Sequence, residues 1–165
     1  MAALTVEDRL EIIELTNLLL LYGDTHQWDK IEALFTNPLV LDYTELLGGE
    51  PKTITPQEQS KAWHHELGGL DKSFHLLTNH VVEPDGDGAR CTANLHATHV
   101  LENLEGDDSY VVAGRYVFKL VRSKAGWLIS EQKLSLIYAT GNPAILKLGE
   151  ARIESRAAST DSRRR

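Results

Sequence analysis

The spacing of the apolar residues changes once along this chain, and that change limits what it can fold into. Up to Gly68-Gly69 the apolar side chains recur at steps of three and four, the period of a helix. From Phe74 onward they alternate in long runs broken by turn residues, the period of a strand. Phe74 to Glu83 reads as a strand, Pro84-Asp85-Gly86-Asp87-Gly88 as a hairpin turn and Arg90 to Asn103 as the returning strand. Tyr110 to Arg122 and Trp127 to Tyr138 form a second hairpin around Ser123-Lys124-Ala125-Gly126. Helices first and a four-strand antiparallel meander afterwards define an α+β domain.

Thr5 followed by Asp8 is a capping box, and it predicts a helix over about residues 6 to 22. Within it Leu10, Ile13, Asn17, Leu20 and Asp24 fall on one face, so Asp24 closes an apolar stripe, with Gly23 loosening the chain beside it. A second helix is expected from Trp28 to Phe35, ended by Asn37-Pro38, then a short strand from Leu39 to Tyr43 and a turn at Gly48-Gly49-Glu50-Pro51. Thr55-Pro56-Gln57-Glu58 starts a further helix running to Leu67. Behind the strands, Gly141-Asn142-Pro143 precedes a short helix through Leu148. Residues 1–150 are read as one domain and 151–165 as a polar C-terminal tail.

A formal net charge of −7 over 165 residues argues against nucleic acid or an anionic membrane as partner, since both are bound through basic surface. Arg163, Arg164 and Arg165 form the strongly basic segment and read as a solvated end. The longest apolar run, Leu18 to Tyr22, is too short to span a bilayer. Met1-Ala2-Ala3-Leu4-Thr5 lacks the features of a signal peptide. Cys91 is a lone cysteine, so an internal disulfide framework is impossible and a reducing, cytoplasmic setting is expected.

A carboxylate at the rim of a core needs a partner for its charge, because burying it alone is expensive. For Asp24 the candidates are His75 and His99, both on later strands. From Cys91 the odd positions Cys91, Ala93, Leu95, Ala97 and His99 form the apolar face of their strand, so His99 points inward and His96 outward. On the preceding strand, parity leaves His75 and His80 as alternatives. An acid beside a histidine in an apolar cup is the usual apparatus of proton transfer. His96 and His99 face opposite ways, and no spacing suits zinc, so no metal is expected. A nucleophile elbow is also missing, and Gly86-Asp87-Gly88 suits a turn better than a phosphate loop.

Tyr22-Gly23-Asp24-Thr25-His26-Gln27-Trp28-Asp29 after the first helix, and Phe74-His75-Leu76 at the first meander strand, are the segments that carry a resemblance. Together with the order of elements over residues 5 to 140, they resemble the SnoaL-like branch of the nuclear transport factor 2-like superfamily, nearest to scytalone dehydratase and hexachlorocyclohexane dehydrochlorinase. The resemblance implies a cone in which N-terminal helices pack on a strongly curved antiparallel sheet around one pocket. It also implies a catalytic pairing of Asp24 with His75. Leu41-Asp42-Tyr43 and His96-Ala97-Thr98-His99 resemble the dehydratase segments that supply a tyrosine and a second histidine, here Tyr43 and His99. Gly23 stands where the dehydratase has a further tyrosine, and Gly114 and Tyr116 replace its serine and asparagine.

The expected function is a lyase that removes water or another leaving group from a small cyclic or polyketide-like carbonyl compound. His75 is the base, Asp24 its orienting acid, Tyr43 the donor to the carbonyl oxygen and His99 the group that protonates or orients the leaving group. Tyr22, Trp63 and Tyr116 are expected to line the pocket, and no cofactor is required. An isomerase or cyclase using the same acid, and a non-catalytic small-ligand-binding module, are the alternatives. By the same resemblance a homo-oligomer, dimer or trimer, is expected.

Overall fold

The computed structural model describes residues 3–103 and 106–162. The basic end at 163–165 therefore lies outside the described residues. Helices α1 (Val6–Asp24) and α2 (Trp28–Glu32) come first, followed by strand β1 (Phe35–Asp42), the short helix α3 (Thr44–Leu47), strand β2 (Lys52–Ile54) and helix α4 (Pro56–Leu67). Strands β3 (Lys72–Asp85), β4 (Gly88–Val100), β5 (Ser109–Ser123) and β6 (Gly126–Gly141) follow, and helix α5 (Ala144–Ser162) closes the order. One curved, open sheet contains all six strands in the order β2-β1-β6-β5-β4-β3. Each neighbouring pair is antiparallel except β1 with β6, which run parallel. No helix among the described residues is long and apolar enough to cross a membrane.

Both capping boxes form. Thr5 accepts from the Asp8 N–H while Asp8 accepts from the Thr5 N–H, and Thr55 and Glu58 repeat the pattern at α4. The buried face of α1, however, is Ile12, Leu15, Thr16, Leu19, Leu20 and Gly23, whereas Leu10 is 62% exposed and Asn17 is also exposed. Leucine and isoleucine surround this helix, so their spacing alone cannot fix its rotation. Polar anchors fix it instead. The Asp8 carboxylate accepts from the Arg122 guanidinium and from Trp127 Nε1 (3.2 Å), and Arg9 donates to the Val82 carbonyl. Gly23 continues the helix rather than loosening it, and Asp24 is its last residue.

Helix α2 stops at Glu32, short of the expected end at Phe35. The β6 backbone claims the next residues: Ile129 N–H donates to the Leu34 carbonyl at 2.9 Å, and Phe35 pairs with Ile129. Asn37-Pro38 lies within β1 instead of ending a helix. At the other end, α5 runs to Ser162 and not to Leu148. It packs on the end of α4 where glycines let the backbones meet: a Cβ at Gly69 would sit 1.9 Å from the Gly149 carbonyl oxygen. Ile145 is fully buried and Arg152 pairs with Asp71 at 2.5 Å, so a polar stretch acquires a packed side and an anchor.

Two irregularities in the strands decide which side chains face the helices. Between Thr78 and Val81 the register of β3 against β4 shifts, with Asn79 in the left-handed region at φ 57°. Before the bulge the odd residues Ser73, His75 and Leu77 turn toward the core, and after it the even residues His80 and Val82 do. Parity could not choose between His75 and His80 because the phase changes between them. A second shift between Lys119 and Leu120, opposite Ser130, brings Gln132 and Leu134 to the same face as Trp127 and Ile129. Asn79→Val should cost about 1–2 kcal/mol, since a branched side chain opposes a left-handed backbone, whereas Asn79→Gly should stay within about 0.5 kcal/mol of the parent. Urea unfolding of both variants measures the difference.

Candidate functional site

Asp24 ends α1 against the start of β3. Its Oδ1 lies 2.6 Å from His75 Nδ1 and accepts from the Ser73 hydroxyl at 2.9 Å, while Oδ2 accepts the His75 backbone N–H at 2.8 Å. Burial raises the carboxyl pKa, but the His75 hydrogen bond and charge, with the backbone and Ser73, outweigh it and hold the group below its ordinary value. A carboxylate can only accept, so Nδ1 carries the proton and Nε2 is left as the basic nitrogen of a ring that lines the cavity.

His99 stands edge-on to His75, with ring centroids 5.3 Å apart and planes at 79°. Its Nδ1 lies 3.3 Å from the Tyr110 carbonyl, which again can only accept, so the Nε2 of this ring is an acceptor. Burial, reinforced by the His75 charge, pushes its pKa down to about 4. It is neutral at physiological pH and has no proton to give from Nε2. Across the cup the Tyr43 and Tyr116 hydroxyls lie 3.2 Å apart, and Gln132 Nε2 donates to Tyr43 at 2.8 Å. Burial raises Tyr43 well above the ordinary phenol value and pushes Tyr116 to about 12, so both remain protonated. With a Tyr43 lone pair taken by Gln132, the hydroxyl pair keeps one proton beyond the one it shares internally.

His75, His99, Tyr43 and Tyr116 line a cavity of about 300 Å³, within the range of small-molecule sites, while Asp24 and Gln132 reach it only through His75 and Tyr43. Its apolar wall includes Leu20, Trp63, Leu95, Val112 and Leu134, with Gly23 facing in from α1. The structure thus brings together Asp24, His75, His99, Tyr43, Trp63 and Tyr116. Tyr22 does not line it. The rotation of α1 that turns Gly23 inward sends Tyr22 toward α2, where Lys30 Nζ sits 5.3 Å above its ring. No group of three or more His, Cys, Asp or Glu that could hold a metal occurs among the described residues. Cys91 is buried in the core, and its thiol is pushed up to about 11 by that burial.

Gln132 and Glu66 also face this region and were absent from the sequence-based expectations. Gln132 had no signal, since only the β6 register shift turns it inward. Glu66 did have one: Gln59, Trp63 and Glu66 follow at steps of four and three, the face of α4 turned toward the cavity.

Helices closing the concave face of a curved sheet over a cavity, with an oriented imidazole inside, define the class to which this α+β protein belongs. Residues 4–133 match the SnoaL-like domain, and the chain is a member of that family, within the nuclear transport factor 2-like superfamily. Among solved structures it is similar to the Kfla4162 protein of Kribbella flavida, 31% identical over 85% of this chain and 96% of that one, with a TM-score of 0.78. A scytalone dehydratase-like protein of Novosphingobium aromaticivorans shares the fold at 14% identity over 79% and 85% of the two chains, TM-score 0.68. A type 2 hexachlorocyclohexane dehydrochlorinase shares it at 16% identity over 83% and 90%, TM-score 0.70. No curated protein matches the chain significantly.

Because the folded pKa of Asp24 lies below its unfolded value, its contribution to stability is present above about pH 4 and is lost as pH falls through the lowered folded value. Acid titration of stability should therefore fall more steeply for the parent than for Asp24→Asn, and the two curves should converge at the acid end. Parallel curves would remove the Asp24–His75 contact from the folded state.

Proposed function

We propose that this protein is a lyase that eliminates water, or a comparable β leaving group, from a small cyclic carbonyl compound. The observation that carries the reading is the 2.6 Å contact between Asp24 and His75 Nδ1, which leaves Nε2 as a base lining a cavity that also holds a tyrosine pair. The reading is also supported by the family, whose fold is shared by a dehydratase-like protein and a dehydrochlorinase.

In this reaction His75 Nε2 takes the proton from the carbon next to the carbonyl, and Asp24 stabilises the imidazolium that results. Enolate charge collects on the carbonyl oxygen, which receives the spare hydroxyl proton of the Tyr43–Tyr116 pair as a hydrogen bond. The bond to the β oxygen then breaks, the enolate collapses to a conjugated carbonyl, and the imidazolium returns its proton to the leaving oxygen, releasing water. His99, neutral and with Nε2 as acceptor, orients the leaving hydroxyl and does not protonate it. One histidine serves as base and then acid, so the proton count closes.

Incubation with a panel of cyclic β-hydroxy ketones, followed by mass spectrometry, tests this. Loss of one water supports elimination; a product of unchanged mass favours isomerisation or cyclisation, and ligand binding without turnover favours a binding module. His75→Ala should lower turnover by about 10²–10⁴-fold and Tyr43→Phe by about 10²–10³-fold, each with the parent's circular dichroism. A His75→Ala variant with the parent's rate would take His75 out of the reaction.

A further inference from the structure

The helical wall of the cavity carries an acid that the elimination does not use. Glu66 lies in the last turn of α4 and lines both the cavity and a recess of about 240 Å³ bounded by α3, β2 and α4. Among the described residues, no hydrogen bond or ion pair reaches its carboxyl. Two turns earlier on the same helix, Gln59 lines that recess, 2% exposed, with its Nε2 buried and unpartnered. A buried amide that serves packing is ordinarily paired, because leaving it unpaired costs stability, and Glu66 is half-buried with the cavity on its open side. This side of α4 instead carries an acid without a protein partner on the cavity wall and, two turns away, a buried amide donor that is unpaired.

The charged and titratable groups that act on Glu66 come from each neighbouring wall. Glu150 of α5 opposes its ionisation, Lys52 of β2 favours it, and its own charge is felt at Tyr43 and Tyr116. Lys147 of α5, His75 and His99 line the same cavity, while α1 contributes the uncharged Leu20 and Gly23. Burial, and then the Glu150 charge, raise the Glu66 carboxyl to about 7. It is therefore part acid and part carboxylate near neutral pH.

We propose that Glu66 determines ligand specificity in this cavity, hydrogen-bonding a hydroxyl or carbonyl on the part of a neutral ring compound away from His75 and excluding carboxylated analogues by its charge. As an acid it donates and as a carboxylate it accepts, so a hydroxylated ring is served in either state, whereas an anionic ring is repelled once Glu66 ionises. The inference rests on the cavity being where the substrate of the proposed elimination sits, but not on which bond breaks.

Calorimetric titration of the full chain with 2-naphthol and 2-naphthoate, one ring system without and with a carboxylate, tests it. The parent should prefer the naphthol by about tenfold or more near pH 8, and the preference should narrow toward pH 6 as Glu66 takes up its proton. Glu66→Gln should gain naphthoate affinity by about tenfold, keep naphthol affinity and flatten the pH dependence. Glu66→Leu, which removes the hydrogen-bonding atoms as well, should lose naphthol affinity by about three- to tenfold. A parent preference that does not change with pH, a ratio unaltered in Glu66→Gln, or no binding of either probe by the parent would each overturn the proposal. Naphthol binding with the expected Glu66 dependence, but no turnover of hydroxy ketones, would sink the elimination and leave this role standing. Turnover with an unaltered ratio would do the reverse.

Discussion

Three hydrogen bonds converge on the Asp24 carboxylate, from the Ser73 hydroxyl, the His75 backbone and the His75 ring, and through them the end of α1 is tied to the start of β3. The far end of the same helix is tied to the β5–β6 hairpin through Asp8, Arg122 and Trp127. A leucine-rich helix held at both ends by carboxylates has its rotation and its depth set at once. Burial opposes the charge of Asp24, and the partners that offset it also orient His75. The interaction that lets the helix close over the sheet is thus the one that orients the His75 ring.

The sheet supplies the rest by breaking its own alternation. A regular β3 would not put both His75 and Val82 on the concave face; the bulge at Asn79 does. A regular β6 would not turn both Ile129 and Gln132 inward, and the shift near Ser130 allows it. Gln132 then holds Tyr43, which lies within reach of Tyr116, so two bulges on separate strands position the imidazole on one side and the phenol pair on another.

Electrostatics divide the labour within the cup. Burial keeps Tyr43 and Tyr116 protonated as donors and keeps His99 neutral as an acceptor, leaving His75, oriented by Asp24, as the group placed to accept a proton. Glu66 is set apart on the helical side, where burial and then Glu150 push its carboxyl up to about 7. Groups of one chemical kind thereby come to differ in charge state through their surroundings alone.

Much of this was legible in the residues themselves. The capping boxes at Thr5 and Thr55, the two hairpins, the inward face of β4 with His99, and the α+β order all follow from local spacing, because caps, turns and alternation are properties of neighbouring residues. Tyr43, His75 and Asp24 stand in segments that carry a family resemblance, and the fold brings Tyr43 and His75 to one cavity with Asp24 bonded to His75. What local spacing could not determine was decided by distant contacts. The anchors Asp8–Arg122 and Arg9–Val82, more than a hundred and more than seventy residues apart, turned Gly23 inward and Tyr22 away. Pairing with β6 ended α2 early, and contact between Gly69 and Gly149 with the Arg152–Asp71 pair made a helix of a polar tail. A bulge changes phase only when a partner strand holds the residues on either side of it. For that reason the inward turn of Gln132, like that of both His75 and His80, belongs to the tertiary structure and not to the sequence alone.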